Sequence, residues 1–181
     1  CVDFSVAEAA AGVATACAHA GVPLLLGTTG LPAEGVPGLD EAARRVPLLV
    51  AANTSAGVAL LEELVRIAAA RLPADFAVQV LDIHHGAKRD APSGTALALG
   101  AAAGEGGATG PAGSAIGYAS LRGGDVAGEH QVHFLGPGER LVLTHVATDR
   151  DLFGRGALAA GLWLCRQPPG RYRMADVRPQ K

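Results

Sequence analysis

His84, His85 and Lys88 stand within five consecutive positions, and Pro92-Ser93-Gly94-Thr95 follows directly. Imidazoles exchange protons near neutral pH, and a lysine ammonium can surrender a proton where an arginine guanidinium cannot. Lys88 also departs from the habit of the chain: of 15 basic residues only Lys88 and Lys181 are lysine, so the other 13 are arginine. Pro92 and Ser93 are helix-opening residues, and Ala96 to Ala103 is a run of strong helix formers. The amides of Gly94 and Thr95 therefore belong in or near a first helical turn, where N–H groups lack an intrahelical acceptor and attract anions. Two imidazoles, a dischargeable ammonium and a helix start are the parts needed to hold and protonate a small anionic substrate. A single histidine at a strand end is more often a hydrogen-bonded bystander. The chemical reading rests on four such features falling within the twelve residues from His84 to Thr95.

The elements that must position these residues can be read from hydrophobic periodicity. Phe76 to Ile83, with Val78, Val80 and Ile83, reads as a buried strand that delivers His84 and His85 to its carboxyl end. Ligands gather at that end in open α/β sheets. Upstream, Val2 to Phe4 is a short strand, Ser5 is placed to cap a helix over Val6 to Ala20 that stops at Gly21, and Val22 to Leu26 is a second strand. Strand, helix, strand at this length is a right-handed parallel crossover, half of a Rossmann-type unit. Gly27-Thr28-Thr29-Gly30 follows at the carboxyl end, where glycines let a ligand approach the backbone and the threonines offer hydroxyls. By itself that tetrapeptide is a weak signal, better read as a plain turn. Asp40 to Arg45 reads as a short helix, and Val46 to Ala51 as a third strand running into Ala52-Asn53-Thr54-Ser55, with a helical pattern from Val58 to Leu72.

Beyond the central motif, Gly104 to Gly113 is a glycine-rich link expected to lack regular structure. Strands are expected over Ser114 to Leu121, Glu129 to Leu135 and Arg140 to Ala147, separated by turns at Arg122 to Asp125 and Gly136 to Gly138. With Phe76 to Ile83 they make a mixed sheet. Arg150 and Phe153 open a last helix that reaches about Leu164, with Leu152, Leu158, Leu162 and Trp163 on its apolar face.

Composition narrows the function classes. The 181 residues suffice for one domain and part of another, and 49% hydrophobic content will bury a core. A formal net charge of −2 provides no basic field for nucleic acid or an anionic membrane, and no run of 18 apolar residues suggests a membrane span. Cys1, Cys17 and Cys165 are odd in number and widely spaced, which fits no disulfide framework or zinc knuckle and suits a reducing cytoplasm. His130 and His133 are three apart on a strand and so point to opposite faces, which argues against shared metal coordination. The chain opens with Cys1 directly into a strand, without initiator methionine or signal peptide, so a preceding segment is expected.

The stretch HHGAKRDAPSGTALALG, residues 84 to 100, resembles the signature of the 4-hydroxy-tetrahydrodipicolinate reductase (dihydrodipicolinate reductase) family, with Asp82 where the family usually has Glu. GTTG at 27–30, AANTSAGV at 51–58, GEHQVHF at 128–134, GERLVLTH at 138–145 and the terminal YRMADV at 172–177 resemble further family segments, with Thr54 in place of a usual aromatic and Arg178 in place of Leu. The fold implied is α/β: a partial Rossmann-type dinucleotide domain over 1–53 and 148–181, and an α+β substrate-binding and tetramerisation domain with a mixed sheet over 54–147.

The activity implied is reduction of 4-hydroxy-tetrahydrodipicolinate to tetrahydrodipicolinate by NADH or NADPH, in lysine and diaminopimelate synthesis. His84 and Lys88 would be catalytic, with Lys88 donating the proton. His85, Gly94 and Thr95 would hold a substrate carboxylate. Gly27, Thr28 and Thr29, Ala51, Ala52, Asn53 and Thr54, and Arg150 with Phe153 would contact the cofactor. The resemblance further implies a homotetramer whose substrate is a small dicarboxylate; charge, hydropathy and histidine spacing argue against a nucleic acid, membrane or metal partner, and cysteine usage suits the cytoplasm. It places the family's GxxGxMG phosphate loop before Cys1, so that this stretch alone should bind the dinucleotide weakly. Two other readings compete: a truncated, non-catalytic oligomerising module of the same fold, and a histidine metal-binding protein.

Overall fold

The computed structural model describes residues 1–32 and 35–178. They form two compact units, Cys1–Ala56 with Asp151–Lys181, and Gly57–Arg150. The crossings therefore fall after Ala56 and Arg150 rather than after residues 53 and 147, and residues 179–181 lie outside the described residues.

In the first unit, strands β1 (Val2–Asp3), β2 (Leu24–Leu26), β3 (Pro47–Val50) and β8 (Gly170–Tyr172) form a parallel sheet in the order β1-β2-β3-β8. Parallel strands covered on both faces need apolar residues at every position, and Leu24, Leu25, Leu26, Leu48 and Leu49 are all fully buried. Leu24, Leu26 and Leu48 pack against α1 (Ala10–Ala20) and α2 (Leu39–Arg45). Leu25 and Leu49 face the other way, onto Ala160 and Leu164 of α5 (Asp151–Leu164). Gly21 ends α1 in the left-handed region (φ +67°), and the Val22 N–H closes the turn on the Cys17 carbonyl at 2.9 Å. The expected Ser5 cap is not made. The helical segment opens instead with a 3-10 turn, Ala7–Ala9, preceded by Val6, and the Ser5 N–H bonds Asp3 Oδ1 at 3.2 Å. β8 was not foreseen from the sequence, because three residues are too few to carry a period.

In the second unit, α3 (Ala56–Arg71) leads into β4 (Ala77–His84), α4 (Gly94–Glu105), β5 (Gly117–Arg122), β6 (Gly128–Gly136) and β7 (Glu139–Ala147). The sheet order is β5-β4-β6-β7, with β4 parallel to β5 and antiparallel to β6. This is the expected mixed sheet. Val78, Val80, Val132 and Phe134 on one face are sealed by Leu61 and Val65 of α3 and Leu99 of α4. Each such side chain contributes about 1.5–3 kcal/mol by leaving water. The helices approach so closely that a Cβ on Gly106 would lie 2.5 Å from that of Ala69. The 104–113 segment is more ordered than its glycines suggest, since α4 runs on to Glu105 and Pro111–Gly113 makes a 3-10 turn. Buried Ala102 and Ala103 hold the end of α4 against the sheet, which outweighs the propensity cost of Gly104. Among the described residues no helix is long and apolar enough to cross a membrane.

Candidate active site

Alternation along β4 buries Val78, Val80, Asp82 and His84 on one face. The period that supplies two core valines thus drives a carboxylate and an imidazole into the interior at the carboxyl end of the strand. Asp82 is fully buried. Its Oδ1 accepts from Arg122 Nη1 at 2.5 Å, and its Oδ2 accepts from the Ser93 N–H at 2.6 Å. Burial by itself would raise the carboxyl pKa; the bonds from Arg122 and Ser93 overcome it and hold the group well below the usual carboxylate range. Arg122 closes β5 directly beside His84, rather than standing in a turn as its RGGD context suggested.

Register brings His130 opposite Asp82 and His145 opposite His130, so imidazoles from β4, β6 and β7 line the same inner face. His84 and His130 meet edge to face with ring centroids 5.1 Å apart. Ser93 caps α4, accepting from the Ala96 N–H at 3.2 Å, and its hydroxyl lies 3.2 Å from His130 Nε2. Burial lowers the pKa of all three rings, and the nearby Lys88 charge adds to the effect at His84. For His130 burial and the His84 charge bring the value to about 4. His133 turns to the opposite face, and among the described residues no three His, Cys, Asp or Glu side chains converge as a metal site requires.

These shifts have a sign. A histidine whose folded pKa is depressed is protonated more readily in the unfolded chain, so stability falls as the pH drops from about 6.5 toward 4 and levels off below. At about 1.4 kcal/mol per unit, His130 alone accounts for up to about 3 kcal/mol. Thermal unfolding followed across that range should show this acid limb, and His130→Gln should make it shallower.

The loop between β4 and α4 carries the remaining groups. Lys88 Nζ lies 2.7 Å from Asp90 Oδ1, and its side chain is only 23% exposed, so the amine is held at the protein surface layer and not extended into bulk water. The Lys88 N–H bonds the carbonyl of half-buried His85 at 3.1 Å. Gly94 and Thr95 open the first turn of α4, and the space above Gly94 is clear for at least 4 Å where a side chain would project. Small anions are drawn to such a turn.

In the first unit, the carboxyl ends of β1, β2 and β3 run into Phe4, Gly27–Gly30 and Ala51–Thr54. The Gly27 N–H bonds the Asp3 carbonyl at 2.8 Å, the Ala51 N–H bonds that of Leu26 at 3.0 Å, and a Cβ on Gly27 would strike the Phe4 ring at 2.2 Å. Thr28 does not offer its hydroxyl outward as its sequence suggested: the residue is buried and donates to Asp3 Oδ2 at 3.2 Å. Thr29 is exposed. Thr54 is also buried and donates to the Phe153 carbonyl at 2.7 Å, while a Cβ on Gly156 would fall 2.0 Å from the Thr54 carbonyl. The Thr54 hydroxyl thus ties the loop to the first turn of α5. Arg150 is the last residue of the second unit, immediately before α5.

The sequence-predicted residues therefore fall into two groups. His84, His85, Lys88, Gly94 and Thr95 surround the carboxyl end of β4, and Gly27, Thr28, Thr29, Ala51, Ala52, Asn53, Thr54 and Phe153 surround the carboxyl edge of the parallel sheet. Sequence reasoning missed Arg122 and His130 as members of the first group, and read Ser93 only as a helix opener. The phase of the strand held a usable signal: Asp82 shares parity with Val78 and Val80, and a carboxylate on a buried face requires a partner.

Two family profiles match the chain in order. The profile described as dihydrodipicolinate reductase, N-terminus, matches residues 1–54, and that described as dihydrodipicolinate reductase, C-terminus, matches residues 57–177. Proteins named 4-hydroxy-tetrahydrodipicolinate reductase from Anaeromyxobacter dehalogenans and Zymomonas mobilis are each 46% identical over 97% of this chain, covering 71% and 75% of their own lengths. One from Xanthomonas campestris is 48% identical over 97% of this chain and 71% of its own length. A solved structure described as dipicolinate-bound dihydrodipicolinate reductase from Paenisporosarcina sp. TG-14 superposes with a TM-score of 0.77 at 24% identity, covering 95% of this chain and 70% of that one, and shares the fold. With both halves matched in order and nearly half the residues identical to named members, the chain belongs to the dihydrodipicolinate reductase family.

Proposed function

We propose that this chain reduces 4-hydroxy-tetrahydrodipicolinate to tetrahydrodipicolinate, with the dicarboxylate held at the carboxyl end of β4 and Lys88 as proton donor. The observation that carries the reading is the grouping of a half-buried lysine, an inward histidine and the open first turn of α4 around one strand end. Balance requires one hydride and one proton taken up and one water lost. Membership of the family implies a nicotinamide cofactor, and NADH or NADPH, when bound, supplies the hydride. The first unit suits the nicotinamide end of either: the Gly27–Gly30 and Ala51–Thr54 loops lie at the carboxyl edge of a parallel sheet, where ligands bind in open α/β sheets. Thr29, Asn53, Arg150 and Phe153 complete that set.

In the second unit, the amides of Gly94 and Thr95 with His85 orient one substrate carboxylate. His84, kept neutral by burial, accepts or returns a proton as water leaves. Lys88 Nζ delivers the proton that completes reduction, and Asp90 aims the amine.

Assembly fits the same reading. Helices cover one face of the mixed sheet, and the other carries Leu121, Leu135, Val142 and Val146, all more than a third exposed. Those apolar side chains, beside the polar row of Glu129, Gln131 and His133, call for cover, and we assign the face to sheet-to-sheet packing in a cytoplasmic homotetramer. Calorimetry with pyridine-2,6-dicarboxylate tests the substrate site: one site per chain is expected, weakened about tenfold by His85→Ala, the loss of one charge-assisted bond. Equal affinity in both proteins would remove His85 from the site.

A further inference from the structure

The loop from His85 to Pro92 must hold Lys88 at a fixed distance from the first turn of α4, and one side chain reaches both ends of that task. Arg122 Nη1 donates to Asp82 Oδ1 at 2.5 Å and to the Leu121 carbonyl at 2.7 Å, while Nη2 donates to the Asp90 carbonyl at 2.7 Å. Asp90 in turn grips the Lys88 amine, and Asp82 grips the Ser93 amide that begins α4. Resting on the reading of Lys88 above, we infer that Arg122 is a positioning residue, the clasp that sets Lys88 relative to the carboxylate-binding turn.

The chemistry of the site favours a guanidinium for this task over any other cation. Arg122 is 17% exposed at its side chain, and its buried Nε–H has no acceptor among the described residues. A lysine could neutralise Asp82 without burying that orphan donor. It could not reach acceptors in two different segments at once, which a planar fork of donors does. The contact to a backbone carbonyl of the loop is therefore the part of the arginine that charge balance does not require.

Arg122→Lys separates the two roles, because the charge beside Asp82 stays and the Asp90 contact goes. Turnover should fall by about tenfold or more through misplacement of the donor, with KM and the Kd for pyridine-2,6-dicarboxylate within about threefold of the parent because the α4 turn is kept. The chain has only two lysines, Lys88 and Lys181, so isotope-labelled lysine gives a resolvable NMR signal for Lys88. Its ε-methylene protons should be inequivalent in the parent and averaged in the variant. Should Arg122→Lys not fold, the double variant Asp82→Asn/Arg122→Gln replaces the ion pair by a neutral one, still without the Asp90 contact, and is read the same way.

Turnover and Lys88 signal both unchanged would overturn the inference, as would kcat, KM and Kd all worsening together. Lys88→Met serves as the control. If that variant keeps full turnover, the proton-donor reading fails, while the NMR comparison still decides whether Arg122 holds the lysine.

Discussion

Arginine in place of Lys88 lowers turnover by about 10²–10⁴-fold, the usual worth of a positioned general acid, and leaves dicarboxylate binding within a few-fold. The substitution keeps the positive charge beside Asp90, so attraction of the anionic substrate survives. What disappears is a transferable proton, since a guanidinium remains protonated at any pH the enzyme meets. The loss should therefore appear in kcat and in kcat/KM equally, the mark of an interaction made in the transition state. Steady-state kinetics of the two proteins side by side are sufficient; full turnover in the arginine variant removes Lys88 from the chemistry. The surroundings make the test clean, because Lys88 bonds Asp90 at the edge of the site and no core side chain depends on it.

Asp82→Ala should cost about 3 kcal/mol of stability at neutral pH, the low end for breaking a buried ion pair because Arg122 keeps some exposure. The carboxylate accepts from Arg122 and from the Ser93 amide, so its removal strands a guanidinium and an N–H together. Its depressed pKa fixes the pH dependence. A carboxylate whose folded value lies below its unfolded one contributes fully above about pH 5, and that contribution is lost as the pH falls through the carboxylate range. The gap in unfolding free energy between the parent and Asp82→Ala should accordingly narrow as the pH falls through the carboxylate range; the Asp82 charge also raises the pKa of His84 and His130, so the comparison is made below the pH at which both rings are protonated. Denaturant titrations across that acid range would show it. A gap that is constant with pH would mean that the Asp82–Arg122 bond is not what the charge provides.

Much of this arrangement could be read from residue order, for identifiable reasons. Strands with uninterrupted leucine, such as Leu24–Leu26, and the alternating valines of β4 announced both sheets, because burial on two faces or on one leaves different periods. The histidines, Lys88 and the helix start at Ser93 were legible as a local cluster, since all lie on one short stretch. Arg122 and His130 were not. Each reaches Asp82 or His84 only through strand register, at separations of 40 and 46 residues along the chain (122 − 82 and 130 − 84), and register is a property of the folded sheet. The same holds for Thr28 and Thr54, whose hydroxyls suggested ligands until Asp3 and the Phe153 carbonyl took them.

The central claim is tested most directly by following oxidation of NADH and NADPH in turn by the purified protein, with 4-hydroxy-tetrahydrodipicolinate generated in the cuvette. Substrate-dependent oxidation yielding one tetrahydrodipicolinate per nicotinamide, and abolished in Lys88→Met, is the predicted result. A folded, assembled protein that leaves the nicotinamide reduced, or a Lys88→Met variant that turns over like the parent, would contradict it.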